Sequence, residues 1–359
     1  MKPSATGAIS AKADELRRKG RRVYNFSVGD IILRNHPLLI EAAQKVLHEG
    51  VSPYPPIAGL FELRTAASQW MNERYGSSYS VEQTVVTTGG KFGIYAALQV
   101  LLNPGDEVII PAPYWVSYPE MVQLAKGKPV IVQTRWKLTP ELLQKAITPK
   151  TKALILNNAC NPTGALYSRE ELEALMQVAL KAKLWIISDE VYSEIVFDGA
   201  QFISLAQFPS MQERCIIIES CSKNFAMAGW RVGFAFGPQK IIDQIIALQS
   251  HSTTSTSYMS QKVALAAVQN WKTVAEYVRE SLRPRRKLFF DTLQVEAPPS
   301  AIYYFAKVDG CEEILEKTGV ALVPGAAFGT PGYARFSFSA TESEIREGLK
   351  AFLQKNQSA

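Results

Sequence analysis

Residues 185–192 read Trp185-Ile186-Ile187-Ser188-Asp189-Glu190-Val191-Tyr192, three large apolar side chains followed by a serine and two acids. A strand covered on both faces needs apolar residues at consecutive positions, whereas a half-exposed strand alternates. The run closes on a carboxylate. That places Asp189 at the carboxyl end of a strand, where open α/β sheets put their ligands. Outward from this stretch, runs of the same character lie at 84–88, 107–110, 130–133, 153–156, 216–219 and 232–236. Amphipathic stretches at 114–124, 169–182 and 239–250 separate several of them. Apolar strands interleaved with helices specify an α/β domain over about residues 37–265, with a mostly parallel seven-stranded sheet between helices.

The C-terminal part has a different rhythm. A long helical pattern runs over about 258–293, where Pro284 marks an expected kink or break. Then come a strand at 302–308, a short helix at 312–318, strands at 321–323 and 334–339, and a last helix at 342–354. This α+β segment, 266–359, is expected to form a second, smaller domain together with residues 1–36, whose helix at 10–19 would pack onto it.

Composition removes several function classes. Lys and Arg number 39 against 33 Asp and Glu, a net charge of +6 that is mild over 359 residues. The densest basic clusters, Arg17-Arg18-Lys19 with Arg21-Arg22 and Arg283 with Arg285-Arg286-Lys287, sit in helix-like contexts and read as solvated faces, so no nucleic-acid partner is expected. A modest positive balance suits anionic ligands. No apolar stretch approaches the ~18 residues of a membrane span, and the first residues lead into a charged helix instead of a signal core. Cys160, Cys215, Cys221 and Cys311 lack C-x-x-C spacing and read as reduced thiols of a cytoplasmic protein. His36, His48 and His251 are dispersed, so no metal site is expected.

The familiar nucleotide loops are missing: no G-x-G-x-x-G follows the first strand, and no G-x-x-x-x-G-K-[ST] occurs. Instead 84–88 runs into Gly89-Gly90-Lys91, which is either a plain tight turn or a helix start open to an anion. Residues 220–233 read Ser220-Cys221-Ser222-Lys223-Asn224-Phe225-Ala226-Met227-Ala228-Gly229-Trp230-Arg231-Val232-Gly233. A lysine whose amine is kept partly neutral forms a Schiff base with an aldehyde. Ser220, Ser222 and Arg231 could hold a phosphate. An aldehyde and a phosphate on one ligand suggest pyridoxal 5′-phosphate, although spacing alone equally allows a surface Lys–Arg pair. Asp189 is either a helix N-cap or the carboxylate that keeps a pyridine nitrogen protonated. In Asn161-Pro162-Thr163-Gly164 the asparagine either makes a turn or donates to a phenolic oxygen.

Taken in order, N-P-T-G, then S-D-E-V-Y, then S-x-S-K-x-F-x-M-x-G-W-R-x-G resemble the class I/II aminotransferases of fold type I, and within them the bacterial aspartate aminotransferase branch. The resemblance extends through Lys2-Pro3-Ser4-Ala5-Thr6, Tyr54-Pro55-Pro56-Ile57-Ala58-Gly59, Pro113-Tyr114-Trp115-Val116-Ser117-Tyr118-Pro119, Val323-Pro324-Gly325 and Ala334-Arg335-Phe336-Ser337. It implies a pyridoxal-phosphate enzyme that moves an amino group between an L-amino acid, aspartate or glutamate, and a 2-oxo acid by a ping-pong route. By the same resemblance Lys223 is the Schiff-base lysine and proton carrier, and Asp189 pairs with the pyridinium nitrogen. Asn161 and Tyr192 bond the phenolic oxygen. Ser220, Ser222, Arg231 and the amides of Gly90 and Lys91 hold the phosphate, and Trp115 stacks on the ring. Tyr54 reaches the phosphate of a neighbouring subunit, which makes the active unit a homodimer. Arg335 and Gly29 receive the substrate α-carboxylate, and Lys91 meets a distal carboxylate.

Three departures fall on the substrate side. The usual acidic-Pro-Asp-aromatic run reads Asp30-Ile31-Ile32-Leu33, the P-S-G-A-F-Y element reads Pro299-Ser300-Ala301-Ile302-Tyr303-Tyr304, and the chain is trimmed near Trp136 and in 307–313. They leave room for an aromatic or prephenate preference, or for another enzyme of this fold such as a carbon–sulfur lyase. A regulatory module fused to a DNA-binding domain is not expected, because the fold pattern begins almost at Met1.

Overall fold

The computed structural model describes residues 5–356. Its strands are β1 (Tyr24–Asn25), β2 (Thr84–Thr87), β3 (Glu107–Ala112), β4 (Lys128–Gln133), β5 (Thr151–Asn157), β6 (Trp185–Asp189), β7 (Cys215–Ser220), β8 (Gly233–Phe236), β9 (Tyr303–Ala306), β10 (Val320–Ala321), β11 (Val323–Pro324) and β12 (Ala334–Ser337). Seven of them form one sheet in the order β2-β8-β7-β6-β5-β3-β4. From β7 to β4 the neighbours are parallel, while β8 runs antiparallel to both β2 and β7. Every residue of β2, β7 and β8 is buried, which is why these strands show apolar residues at consecutive positions instead of alternating ones. Leu154, Leu156, Ile186, Ile217 and Phe234 join Trp70 in the core on one face. Their neighbours Ile155, Ile187, Ile216 and Ile218 join Ile94 and Leu98 on the other. Each such side chain contributes about 1.5–3 kcal/mol by leaving water.

The parallel strands β2, β3, β5, β6 and β7 end at the same edge of the sheet. Because β8 is reversed, the residues that precede it reach this edge too, and Ser220 at the end of β7 pairs with Gly233 at the start of β8. An ideal Cβ on Gly233 would lie 2.5 Å from the backbone nitrogen of Gly90, so only glycine lets β8 pack against the first turn of helix Gly89–Leu101.

A second, antiparallel sheet has the order β11-β12-β9, and β1 pairs in parallel with β10. Phe26, Phe289, Tyr303, Phe336 and Phe338 build the core beneath it, and this core continues to Tyr192 and Ile195 after β6. Helix Ala5–Arg18 packs Ala13 and Leu16 against Val23, Leu315 and Ala321. Among the described residues no helix is long and apolar enough to cross a membrane.

Two sequence expectations are corrected. The long C-terminal helix breaks at Asn270, between Tyr258–Gln269 and Trp271–Leu293, and Pro284 lies inside the second helix. The Asn270 side chain donates to the Ala266 carbonyl at 2.9 Å, closing the first helix. Around Pro284, the buried Leu282, Arg286, Phe289 and Phe290 hold both flanks against the core. The run at 321–323 is not one strand. Ala321 pairs with β1 and Val323 with β12, and an apolar run cannot announce that its halves serve different sheets.

Candidate active site

A cleft of about 370 Å³ opens at the sheet edge where these strands end. Gly29, Gly90, Lys91, Trp115, Asn161, Asp189, Tyr192, Ser220, Ser222, Lys223, Arg231 and Arg335, all singled out in the sequence, line it. Tyr54 does not; it is 91% exposed and stands elsewhere on the surface. Of the start motif, Lys2, Pro3 and Ser4 lie outside the described residues.

One end of the cleft is built for an anion. Helix Gly89–Leu101 points its free N-terminal amides into it, and a 13-residue helix carries a useful dipole there. Gly89 adopts φ +76°, and a Cβ on it would lie 2.6 Å from Nη2 of Arg231. The hydroxyl of Ser220 accepts from the Ser222 amide at 3.1 Å and meets the Ser222 hydroxyl at 2.9 Å. Arg231, held at φ +58°, donates to the carbonyls of Ala228 at 2.9 Å and Thr88 at 3.4 Å. Among the described residues, neither Arg231 nor Lys91 has a carboxylate within ion-pair distance, so two cations face the same space without a counter-charge. Lys91 Nζ lies 4.8 Å from the Trp115 ring centroid.

The middle of the cleft holds Asp189, which is 3% exposed. Burial pushes its carboxyl up to about 6, against the opposing pull of the Tyr118 hydroxyl and the Val191 amide. Two residues passed over in the sequence set this geometry. Tyr118 donates to the Asp189 carboxylate. Asn157 donates to the Asp189 carbonyl at 2.9 Å and accepts from the Asn161 amide at 2.7 Å, so one side chain fixes the loops after β5 and β6. Both lie within or beside stretches already marked, but the residue type alone gives no sign of the contact.

Lys223 follows in the short helix Cys221–Asn224 after β7. Its Nζ donates to the Gly29 carbonyl at 2.5 Å and lies 3.7 Å from Asp30 Oδ1. Burial lowers the pKa of this amine; Asp30 opposes that, while Arg335 and Arg231 add to it. Desolvation so weakens the hold of the amine on its proton, which is the direction a nucleophile needs. Behind it, Asn224 donates to Glu219 and to Ser193, both at 2.9 Å. Arg74 there binds Glu194 at 3.0 Å and approaches Glu219 at 3.8 Å.

Arg335 closes the far side. It is 1% exposed and donates to the Asn161 side chain at 3.0 Å and the Ser27 carbonyl at 2.7 Å. Its Nε has no partner, and no carboxylate of the described residues faces it. A buried guanidinium without a counter-ion is costly unless a ligand supplies the negative charge. Tyr303, a third residue not singled out as a site residue, lays its ring 4.2 Å from this guanidinium and its hydroxyl 2.7 Å from that of Tyr192.

The family profile described as "Aminotransferase class I and II" matches residues 21–352. The chain belongs to the class I and II aminotransferases. This aminotransferase is 39% identical to a protein named aspartate aminotransferase from Geobacillus stearothermophilus, over 98% of the chain and 95% of the relative. It is 38% identical to an aspartate/prephenate aminotransferase from Thermus thermophilus, over 98% and 96%. Its fold superposes on the solved aspartate aminotransferase of Thermus thermophilus with maleate at a TM-score of 0.94, covering 99% and 97% of the two chains at 38% identity. Enzymes of this family and fold use pyridoxal 5′-phosphate, and the donor set fits it. The cradle at Gly89 and Gly90, which a Cβ would fill, and the two uncompensated cations suit its phosphate. The buried carboxylate suits its ring nitrogen, and the amine of Lys223 suits its aldehyde.

Proposed function

We propose that this aminotransferase takes its amino group from aspartate or glutamate and passes it to a 2-oxo acid. When bound, the cofactor supplies an electrophilic carbon and a ring that accepts negative charge from the substrate Cα. In this reading Ser220, Ser222, Arg231 and the amides of Gly90 and Lys91 hold the phosphate, while Trp115 covers one ring face. Asp189 keeps the ring nitrogen protonated, and Asn161 and Tyr192 bind the phenolic oxygen. Arg335 grips the α-carboxylate with its planar fork, helped by Gly29, and so aims Cα at Lys223. Lys223 Nζ would be the group that takes up and gives back the Cα proton, acting as base and then acid.

The observation that carries this reading is the pairing, across one cleft, of a buried amine of lowered pKa with a buried guanidinium that lacks a counter-ion. Lys91 supports the choice of a dicarboxylate, because its ammonium rests over Trp115 with no acidic partner among the described residues. The same freedom supports a second reading, in which Lys91 swings aside and an aromatic substrate or prephenate enters. We also read Tyr54 as serving a partner's cleft in a homodimer. The chain would divide into 37–265 and a smaller unit of 1–36 with 266–359, and would work in the cytoplasm.

The experiment is to supply the holoenzyme with aspartate and 2-oxoglutarate and to compare it with Lys223→Ala. Wild type should form oxaloacetate and glutamate. The variant should bind cofactor without a covalent bond and lose turnover by about two to four orders of magnitude. Near-normal transamination by Lys223→Ala would sink the assignment.

A further inference from the structure

The mechanism above leaves Tyr303 without a task, although it lines the cleft and is 1% exposed. It stands at the first residue of β9, in the element where the sequence departs from the family pattern. Its hydroxyl, 2.7 Å from that of Tyr192, is the partner the structure gives to Tyr192. The two rings meet edge to face at 5.8 Å. Space for the Tyr303 hydroxyl exists only because residue 29 is glycine: a Cβ there would lie 2.5 Å from the Tyr303 oxygen. So the hydroxyl is locked between Gly29, Tyr192 and Arg335, at the junction of the cofactor and substrate halves of the cleft.

We propose that Tyr303 is a positioning residue: its hydroxyl donates to the Tyr192 oxygen, so that the Tyr192 proton is aimed at the cofactor's phenolic oxygen. The inference rests on the reading of Tyr192 as a ligand of that oxygen. A phenol carries one proton and two lone pairs, so Tyr192 can accept from Tyr303 and donate to the cofactor at once. Which hydroxyl donates follows from their surroundings. Burial raises both pKa values, and the Arg335 guanidinium opposes the rise at both. At Tyr303, whose ring it faces at 4.2 Å, it ranks directly after burial; at Tyr192 it ranks lower, Asp189 adds to the rise, and the phenol is pushed well above its ordinary value. Tyr303 is therefore the stronger acid and the better donor. Hydrogen bonds in a chain polarise one another, so the Tyr303 contact makes Tyr192 a stronger donor in turn. A stronger donor on the phenolic oxygen favours its anionic form and lowers the pH at which the lysine-bound cofactor loses its proton. The charged and titratable groups facing the pair are Arg335 from β12, Asp30 from the segment after β1, Asp189 from β6 and Lys223 after β7; none of them changes in the variants below.

The test is a pH titration of the visible absorption band of the resting holoenzyme, without substrate, for wild type, Tyr303→Phe, Tyr192→Phe and the double variant. Loss of one neutral hydrogen bond in the chain should raise the midpoint by roughly half a pH unit in Tyr303→Phe; loss of the direct contact should raise it by about one to two units in Tyr192→Phe. The double variant should match Tyr192→Phe, because the effect of Tyr303 passes through that hydroxyl. A shift in Tyr192→Phe with none in Tyr303→Phe overturns the relay and leaves the role of Tyr192 standing. No shift in Tyr192→Phe refutes that role and the relay with it. Strictly additive shifts in the double variant show that Tyr303 acts by another route, and also overturn the proposal.

Discussion

The Tyr118 hydroxyl donates a hydrogen bond to the Asp189 carboxylate, with both side chains buried where β6 ends. Tyr118 lowers the carboxyl pKa while desolvation raises it, and desolvation wins, leaving a value of about 6 against the ordinary 3.8. A carboxyl whose folded pKa is raised ionises at a cost to the fold. Its contribution to stability is intact below the ordinary value and is lost as pH rises through the folded one. In the proposed reading, the same ionisation would create the charge that a protonated ring nitrogen needs.

The apoprotein should thus lose stability, relative to Asp189→Asn, as pH rises from about 4 to about 6. Over that interval cofactor affinity should rise in wild type and stay flatter in the variant. Tyr118→Phe should move both transitions to higher pH. Melting temperature of the apoprotein and equilibrium cofactor binding against pH provide the check, and identical slopes in wild type and Asp189→Asn would remove Asp189 from this role. With cofactor bound, Asp189→Asn should also slow the chemical step in single turnovers by orders of magnitude.

Lys91 should govern acidic substrates alone. A lost charge-assisted contact to a carboxylate costs roughly 1.5–3 kcal/mol, so Lys91→Ala should lower kcat/KM for aspartate and glutamate about ten- to a hundredfold and spare aromatic amino acids. Equal losses for both substrate classes would place the acidic preference elsewhere.

Tyr54 offers a test of the shared site. If it completes a partner's cleft, a heterodimer of Tyr54→Ala with Lys223→Ala contains one cleft with both native residues. Such a dimer, purified through two different tags, should bind cofactor at one site with wild-type affinity and recover turnover. Heterodimers as inactive as the two parents, or a fully active monomer in sedimentation, would contradict the assembly.

Arg74 should matter far more to stability than the surface ion pairs do. Its side chain is 8% exposed and offsets Glu194 and Glu219. Arg74→Leu leaves Glu219 buried without its cation and Glu194 with Arg279 alone, and should cost about 3–5 kcal/mol in denaturant unfolding of the apoprotein. Removing Lys287 from its exposed pair with Asp291 should cost under about 1 kcal/mol. Similar losses in the two variants would mean that the buried cluster is not maintained by Arg74.

The sheet was legible because its strands are buried on both faces, and burial writes itself as consecutive apolar residues at 153–156, 185–187 and 216–218. That Lys223, Asp189 and Arg231 are cleft residues was legible because they sit in short motifs that resemble the family's, and all three line one cleft. Tyr118, Asn157 and Tyr303 were not, since each makes a contact to a residue far away in the chain, Asp189 for the first two and Tyr192 for the third, and a tyrosine in a core looks the same whether or not its hydroxyl is used. The helix break escaped for a related reason. Pro284 advertises a break by its missing N–H, yet packing on both flanks overrules it, while the Asn270 cap depends on a single side-chain hydrogen bond.

The reversal of β8 has a consequence for anyone who would re-engineer this protein. Arg231 and Gly233 are held by a strand pinned between two others, and Gly233 touches the Gly90 turn directly, so the anchor for the anion is woven into the sheet's own register. Asp30, Tyr303 and Arg335 enter from a separate sheet and from the chain leading out of β1. The fold therefore behaves as a fixed socket with an interchangeable faceplate. Grafts of segments around 30–33 and 299–306 from other aminotransferases are expected to act on the substrate side and, through Tyr303, on Tyr192, whereas a one-residue insertion between 221 and 233 is expected to pull the socket itself out of alignment.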